Sequence, residues 1–130
     1  MSAVPKKVLV VDDTPLNVKM LADLLTFKGY QTVTAASGAE ALAKIEAEHP
    51  DLVLLDVMMP GMNGIEAFKV LRADPETSSI PIIAVTASAM TEDRKRIIDA
   101  GFDGLQTKPI NVKEFLETVA MTLKKHAGTA

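Results

Sequence analysis

Leu52-Val53-Leu54-Leu55-Asp56 is a run of four apolar residues that stops on a carboxylate. A strand with one wet face alternates apolar and polar side chains. An uninterrupted apolar run of strand length is what a central strand covered on both faces needs. The pattern recurs along the chain. Val8-Leu9-Val10-Val11 stops at Asp12-Asp13, Ile82-Ile83-Ala84-Val85 at Thr86, and Leu105-Gln106-Thr107 at Lys108. A further short run, Gln31–Ala35, is more polar and belongs at a sheet edge.

Helical signals fill the intervals. Thr14-Pro15 reads as an N-cap followed by proline at the first helical position, with Leu16, Met20, Leu21, Leu24, Leu25 and Phe27 recurring after it. Gly29 closes that helix where a left-handed residue is wanted. Ser37-Gly-Ala-Glu40 is a capping box for a second helix, with Leu42 and Ile45 inward, that stops before His49-Pro50. Asn63 with Glu66 starts a third helix, running to about Arg72. Thr91 starts a fourth, carrying Ile97 and Ile98 and ending near Gly101. Asn111 and Glu114 frame the last helix, whose stripe is Val112, Phe115, Leu116, Val119 and Leu123.

Five strand–helix units with helix-length crossovers predict an α/β fold. It is a doubly wound, five-stranded parallel sheet with helices on both faces, the first and fifth on one and the second to fourth on the other. The common strand order, 2-1-3-4-5, puts the switch point between the first and third strands, where such folds build sites. Residues 1–130 read as one domain with a core over about 6–125.

Composition narrows the function. The chain is 48% hydrophobic and 24% charged, with a net charge of −3 and acids and bases spread along it, which disfavours a nucleic-acid surface. It has no cysteine for disulfide, thiolate-zinc or thiol chemistry. No apolar run has the length of a membrane span, and residues 1–7 lack a signal-peptide core, so the expected location is cytoplasmic.

Each strand-end signal has a bland reading. Asp12-Asp13 can be an acidic pair at a helix N-terminus, Thr86 a turn residue, Lys108-Pro109 a surface loop. Together they predict a pocket in which three carboxylates, a hydroxyl and an ammonium converge. Two unit charges at 4 Å repel by about 4 kcal/mol at an effective dielectric near 20. Such a cluster must bind a cation, shift its protonation or stay open to water. All-oxygen ligation at a wet edge suits Mg²⁺, which commonly binds through one or two carboxylates. With the charge offset, one carboxylate can attack phosphorus, while Thr86 and Lys108 bind the phosphoryl oxygens.

The chain resembles the receiver domain of two-component response regulators, whose fold is flavodoxin-like. The resemblance rests on Val11-Asp12-Asp13, on Leu52–Asp56 followed by Met59-Pro60-Gly61-Met62-Asn63-Gly64, on Val85-Thr86-Ala87 and on Lys108-Pro109. It implies that Asp56 accepts a phosphoryl group from a phosphohistidine on a sensor histidine kinase or histidine phosphotransfer protein. It further implies Asp13, Asp56 and the backbone carbonyl of Met58 as Mg²⁺ ligands, with Asp12 acting through water. Lys108 would bind the phosphoryl group through a loop with a cis bond to Pro109, Thr86 would be the switch hydroxyl, and Met58 and Ser88 would tune hydrolysis. One departure is Leu105, where receivers often carry the Tyr or Phe that rotates as the threonine moves.

The resemblance implies no enzyme activity beyond the chain's own phosphorylation and dephosphorylation. It implies a downstream protein reader, no nucleic acid, no membrane, and a monomer or weak dimer. Asp13-Thr14-Pro15-Leu16-Asn17 is similar to stand-alone cell-cycle and polarity regulators, and also to receivers of diguanylate cyclases or hybrid kinases. A phosphorelay intermediate or a fragment of a larger regulator is therefore the alternative. Two rivals fit less well. A flavodoxin-like cofactor module wants a glycine- and hydroxyl-rich phosphate loop after the first strand. A small aspartate-nucleophile phosphohydrolase wants an Asp at position 14, which is Thr here.

Overall fold

Strands and helices alternate in the order β1 (Lys7–Val11), α1 (Pro15–Phe27), β2 (Gln31–Ala35), α2 (Gly38–Glu48), β3 (Leu52–Asp56), α3 (Gly64–Ala73), β4 (Ile82–Thr86), α4 (Thr91–Ala100), β5 (Gly104–Thr107) and α5 (Val112–Ala127). The computed structural model describes residues 6–56, 64–75, 77–86, 91–107 and 111–127, the side chains of 64–67, 91, 93 and 125–127 excepted. All strand pairs are parallel and the sheet order is β2-β1-β3-β4-β5, as the sequence predicts.

The apolar runs are buried because helices cover both faces of the sheet. Every residue of β3 and β4 is buried. Val8, Val10, Leu52, Leu54, Ile83 and Val85 point to one face, where they meet Leu21 and Leu25 of α1 and Phe115, Val119 and Leu123 of α5. Leu9, Val11, Val53, Leu55 and Ile82 point to the other, against Ala41 and Ile45 of α2 and Phe68 and Leu71 of α3. Ala84 meets Ile97 of α4 on that same face. The two polar or short strands, β2 and β5, form the edges.

Some helical positions differ from the sequence reading. On α1 only Leu21 and Leu25 are buried, while Leu16 and Phe27 are 78% and 87% exposed and Met20 is also exposed. At 100° per residue the exposed stripe lies about 100° or more round from Leu21 and Leu25. The helix therefore carries two apolar stripes, of which one seats on the sheet. Ile98 and Val112 are likewise exposed, beside buried Ile97 and Phe115. Thr14 is the N-cap of α1 without a side-chain cap bond; its N–H instead donates to Asp12 Oδ1 at 2.9 Å. The predicted caps at Ser37 and Asn111 are present, each accepting from the backbone N–H three residues on, at 3.1 and 3.0 Å. Asn63 lies outside the described residues, as do the side chains of Glu66 and Thr91.

Gly29 takes the left-handed conformation expected after α1, at φ +95°. His49, also left-handed at φ 48°, ends α2 through an N–H donated to Ile45 O at 3.0 Å. On the α3 side, the Arg72 guanidinium donates to the carbonyls of Ser78 (3.0 Å) and Ile80 (2.6 Å) and pairs with Asp103 Oδ2 at 2.6 Å. It also lies 4.8 Å above the Phe68 ring, which stacks on Phe102. Asp103 Oδ2 in turn accepts from Ile82 N at 2.8 Å, so one knot joins the end of α3, the start of β4 and the turn before β5.

Candidate functional site

β1 and β3 lie side by side, with Val11 in register with Leu55. Their carboxyl ends therefore deliver Asp12 and Asp56 to the same spot, at the point where chain connections leave in opposite directions. Asp12 continues the ladder for one residue, its N–H donating to Ala35 O at 3.1 Å. Its Oδ1 accepts the Thr14 N–H, which folds the chain sharply into Pro15 and turns Asp13 outward to solvent. Asp12 and Asp56 are buried, at 1% and 4% exposure.

One carboxylate oxygen from each of Asp12, Asp13 and Asp56 lies within 4.8 Å of the other two. Two unit charges at that distance repel by about 3.5 kcal/mol at an effective dielectric of 20. The positive end of α1, beginning at Pro15, offsets part of this. Three hard oxygen donors, two buried and one open to water, match a small divalent cation that keeps some of its own water. Asp12 and Asp13, without Asp56, also border a groove between α1 and the β2–α2 connection, lined by Pro15, Val18, Ala22, Ala35 and Ala36.

Thr86 is the last residue of β4 and is 1% exposed. It sits one position beyond Val85, which is in register with Asp56. The hydroxyl is thus carried on the strand next to the acidic cluster. Lys108, Pro109, Met58 and Ser88 lie outside the described residues. Leu105 is half-buried and packs with Ala84, Ile97 and Phe102 on the α4 side of β5.

Gln106 went unremarked in the sequence beyond its strand assignment. It is buried, at 3% exposure, and its Oε1 has no hydrogen-bond partner among the described residues. The signal available was alternation: on a strand, 106 shares the face of 104, not that of Leu105.

A family model described as the response regulator receiver domain matches residues 8–120. The chain is a response regulator receiver domain. Among curated relatives, the polar-differentiation response regulator DivK of Brucella ovis is 44% identical over 125 residues, covering 96% of this chain and 98% of that protein. Among solved structures, a receiver domain protein from Methanospirillum hungatei superposes with a TM-score of 0.89 at 31% identity, covering 98% of this chain and all of the other. The chemotaxis protein CheY4 of Vibrio cholerae gives 0.86 at 34% identity, covering 92% of this chain and 99% of the other. The acidic cluster is of the kind that receiver domains use for phospho-aspartate and metal. A receiver's chemistry is confined to its own aspartate; it turns over no separate substrate. Among the described residues, no helix is long and apolar enough to cross a membrane.

Proposed function

We propose that Asp56 takes a phosphoryl group from the phosphohistidine of a sensor kinase or phosphotransfer protein, with Mg²⁺ held by the acidic cluster. The observation that carries this is the convergence of Asp12, Asp13 and Asp56 within 4.8 Å, with Asp56 fixed at the buried tip of β3. An Asp56 carboxylate oxygen forms the new bond to phosphorus. The phosphorus–nitrogen bond to the donor imidazole breaks, and the imidazole takes up a proton as it leaves. Asp13 and Asp56, with the Met58 carbonyl that the resemblance implies, would hold the ion, and Asp12 would act on it through water. When bound there, such an ion would supply charge neutralisation for the attacking and transferred oxygens. Lys108 and the Thr86 hydroxyl bind the phosphoryl oxygens of the product.

The exposed upper part of the α1 stripe, Leu16 and Met20, flanks this site and offers the donor protein an apolar footing. Likeness to polar-differentiation regulators over nearly the whole chain supports an output of that class, read by a partner protein. Incubation with acetyl phosphate and Mg²⁺, followed by intact mass, tests the assignment. The expected result is gain of one phosphoryl group, abolished by Asp56→Ala or by chelating the metal. Labelling that survives in Asp56→Ala would sink it.

A further inference from the structure

A buried polar side chain in a packed strand–helix seam is expensive unless its hydrogen bonds are met. Gln106 breaks that rule. The residue is 3% exposed, and among the described residues its Oε1 has no partner and its Nε2 reaches only Thr107 O, at 3.5 Å. Gln106 faces α5. It is in register with Val85, which packs with Phe115 and Val119 of α5. A Cβ at Gly104, two residues earlier on the same face, would meet Thr118 Cγ2 at 3.6 Å and Thr122 Oγ1 at 3.7 Å.

The seam between β5 and α5 is therefore built differently from the rest of that helix's footing. Toward β1, β3 and β4, α5 presents Phe115, Val119 and Leu123 to an apolar surface. Toward β5 it presents Thr118 and Thr122 to Gly104, and the unsatisfied amide of Gln106 lies two residues further along the same strand face. One edge of the helix is anchored and the other is held at a deficit. A small movement that brings a donor to Oε1 would therefore be rewarded.

Its position ties it to the acidic site. Asp56, Val85 and Gln106 form one row across β3, β4 and β5 on one face of the sheet. At the usual spacing between strands, the amide lies about 10 Å from Asp56 in that row. The ring that often relays the threonine's movement is replaced by Leu105, on the opposite face of β5.

We propose that Gln106 is a conformational relay: its unsatisfied carbonyl keeps the β5–α5 seam metastable, and phosphorylation at Asp56 shifts α5 into an arrangement that satisfies it. The inference rests on the reading of Asp56 as the phosphoryl acceptor. α5 then becomes an output element of this chain, presenting Met121 and Val112, both exposed, to whatever reads the signal.

Hydrogen exchange over residues 112–124, with and without Mg²⁺ and beryllium fluoride as a phosphoryl mimic, tests this. Fluorine NMR of bound beryllium fluoride is read in parallel. The expected wild-type result is about tenfold slower exchange in α5 on loading, for one hydrogen bond's worth of stabilisation. In Gln106→Leu, α5 should exchange slowly before loading and respond little to it, while the bound-fluoride signal persists. Gln106→Met, which fills the site with an unbranched side chain, should behave as Gln106→Leu does. Leu105→Ala, on the other face, should leave the α5 response intact. A bound-fluoride signal with no change in wild-type α5, or a full α5 response in both Gln106 variants, overturns the relay alone. Absence of the bound-fluoride signal in wild type overturns the Asp56 reading and the relay with it.

Discussion

Removing Arg72 should loosen three segments at once, and the size of the effect can be worked from its contacts. The guanidinium donates to Ser78 O, Ile80 O and Asp103 Oδ2 at 3.0, 2.6 and 2.6 Å, and covers the Phe68 ring. The side chains of Arg72 and Asp103 are 25% and 22% exposed, so water screens the pair without dissolving it. Hydrogen bonds to charged groups contribute about 1.5–3 kcal/mol each when dry, and exposed ion pairs about 0–1. Discounted for that exposure, three such bonds and the ring contact put Arg72→Ala at about 3 kcal/mol. At about 2.1 cal/mol/K of unfolding entropy per residue, the melting temperature should fall by about 11 °C. Asp103→Ala removes the ion pair and the acceptor for Ile82 N–H, and should cost about 2 kcal/mol. The two substitutions share one bond, so the double variant should cost about 1 kcal/mol less than their sum. Arg72→Lys keeps the charge but cannot fork to three acceptors, and should fall between wild type and Arg72→Ala. Urea unfolding followed by far-ultraviolet circular dichroism measures all four. A loss below about 1 kcal/mol for Arg72→Ala, or additivity within about 0.3 kcal/mol, refutes the reasoning.

Other consequences are simpler to test. Raising Mg²⁺ to ten times its dissociation constant should stabilise the wild type by about 1.4 kcal/mol, or about 5 °C, and the gain should vanish in Asp13→Asn; thermal melts with and without chelator read this. Phe115→Ala should cost about 3–5 kcal/mol, because the ring is fully buried, whereas Phe27→Ala, 87% exposed, should stay within about 0.5; denaturant midpoints separate them. Gly29→Ala should cost about 1 kcal/mol through its φ of +95° alone, since a Cβ there has nothing within 4 Å to strike; the same unfolding series shows it.

The sheet was legible in the residues because its strands announce themselves twice, by an unbroken apolar run and by the polar group that ends it. β1, β3 and β4 all obey this; the order rests instead on the arrangement common to such folds, and from that order the meeting of Asp12, Asp13 and Asp56 follows. α1 was less legible. Leu16, Met20 and Phe27 look as apolar as Leu21 and Leu25, and the periodicity admits two stripes. Which stripe seats on the sheet is a tertiary fact that helical periodicity does not contain. Gln106 was illegible for a related reason: a strand glutamine becomes an anomaly only once α5 is known to cover it.

The parallel pairing of β1 with β3 also governs how the site comes into being. Val8 and Leu52 are partners in the sheet but 44 positions apart in the chain, with α1, β2 and α2 between them. Closing a loop of that length costs about 3 kcal/mol of chain entropy before its contacts repay it. The same closure brings Asp56 to Asp12 and Asp13, so like charges meet at the step that already carries the entropic burden. Assembly of the pocket and commitment of the chain to its topology are one event. A divalent ion present during folding would then act on the rate at which the sheet's central pair forms, and not only on the finished domain.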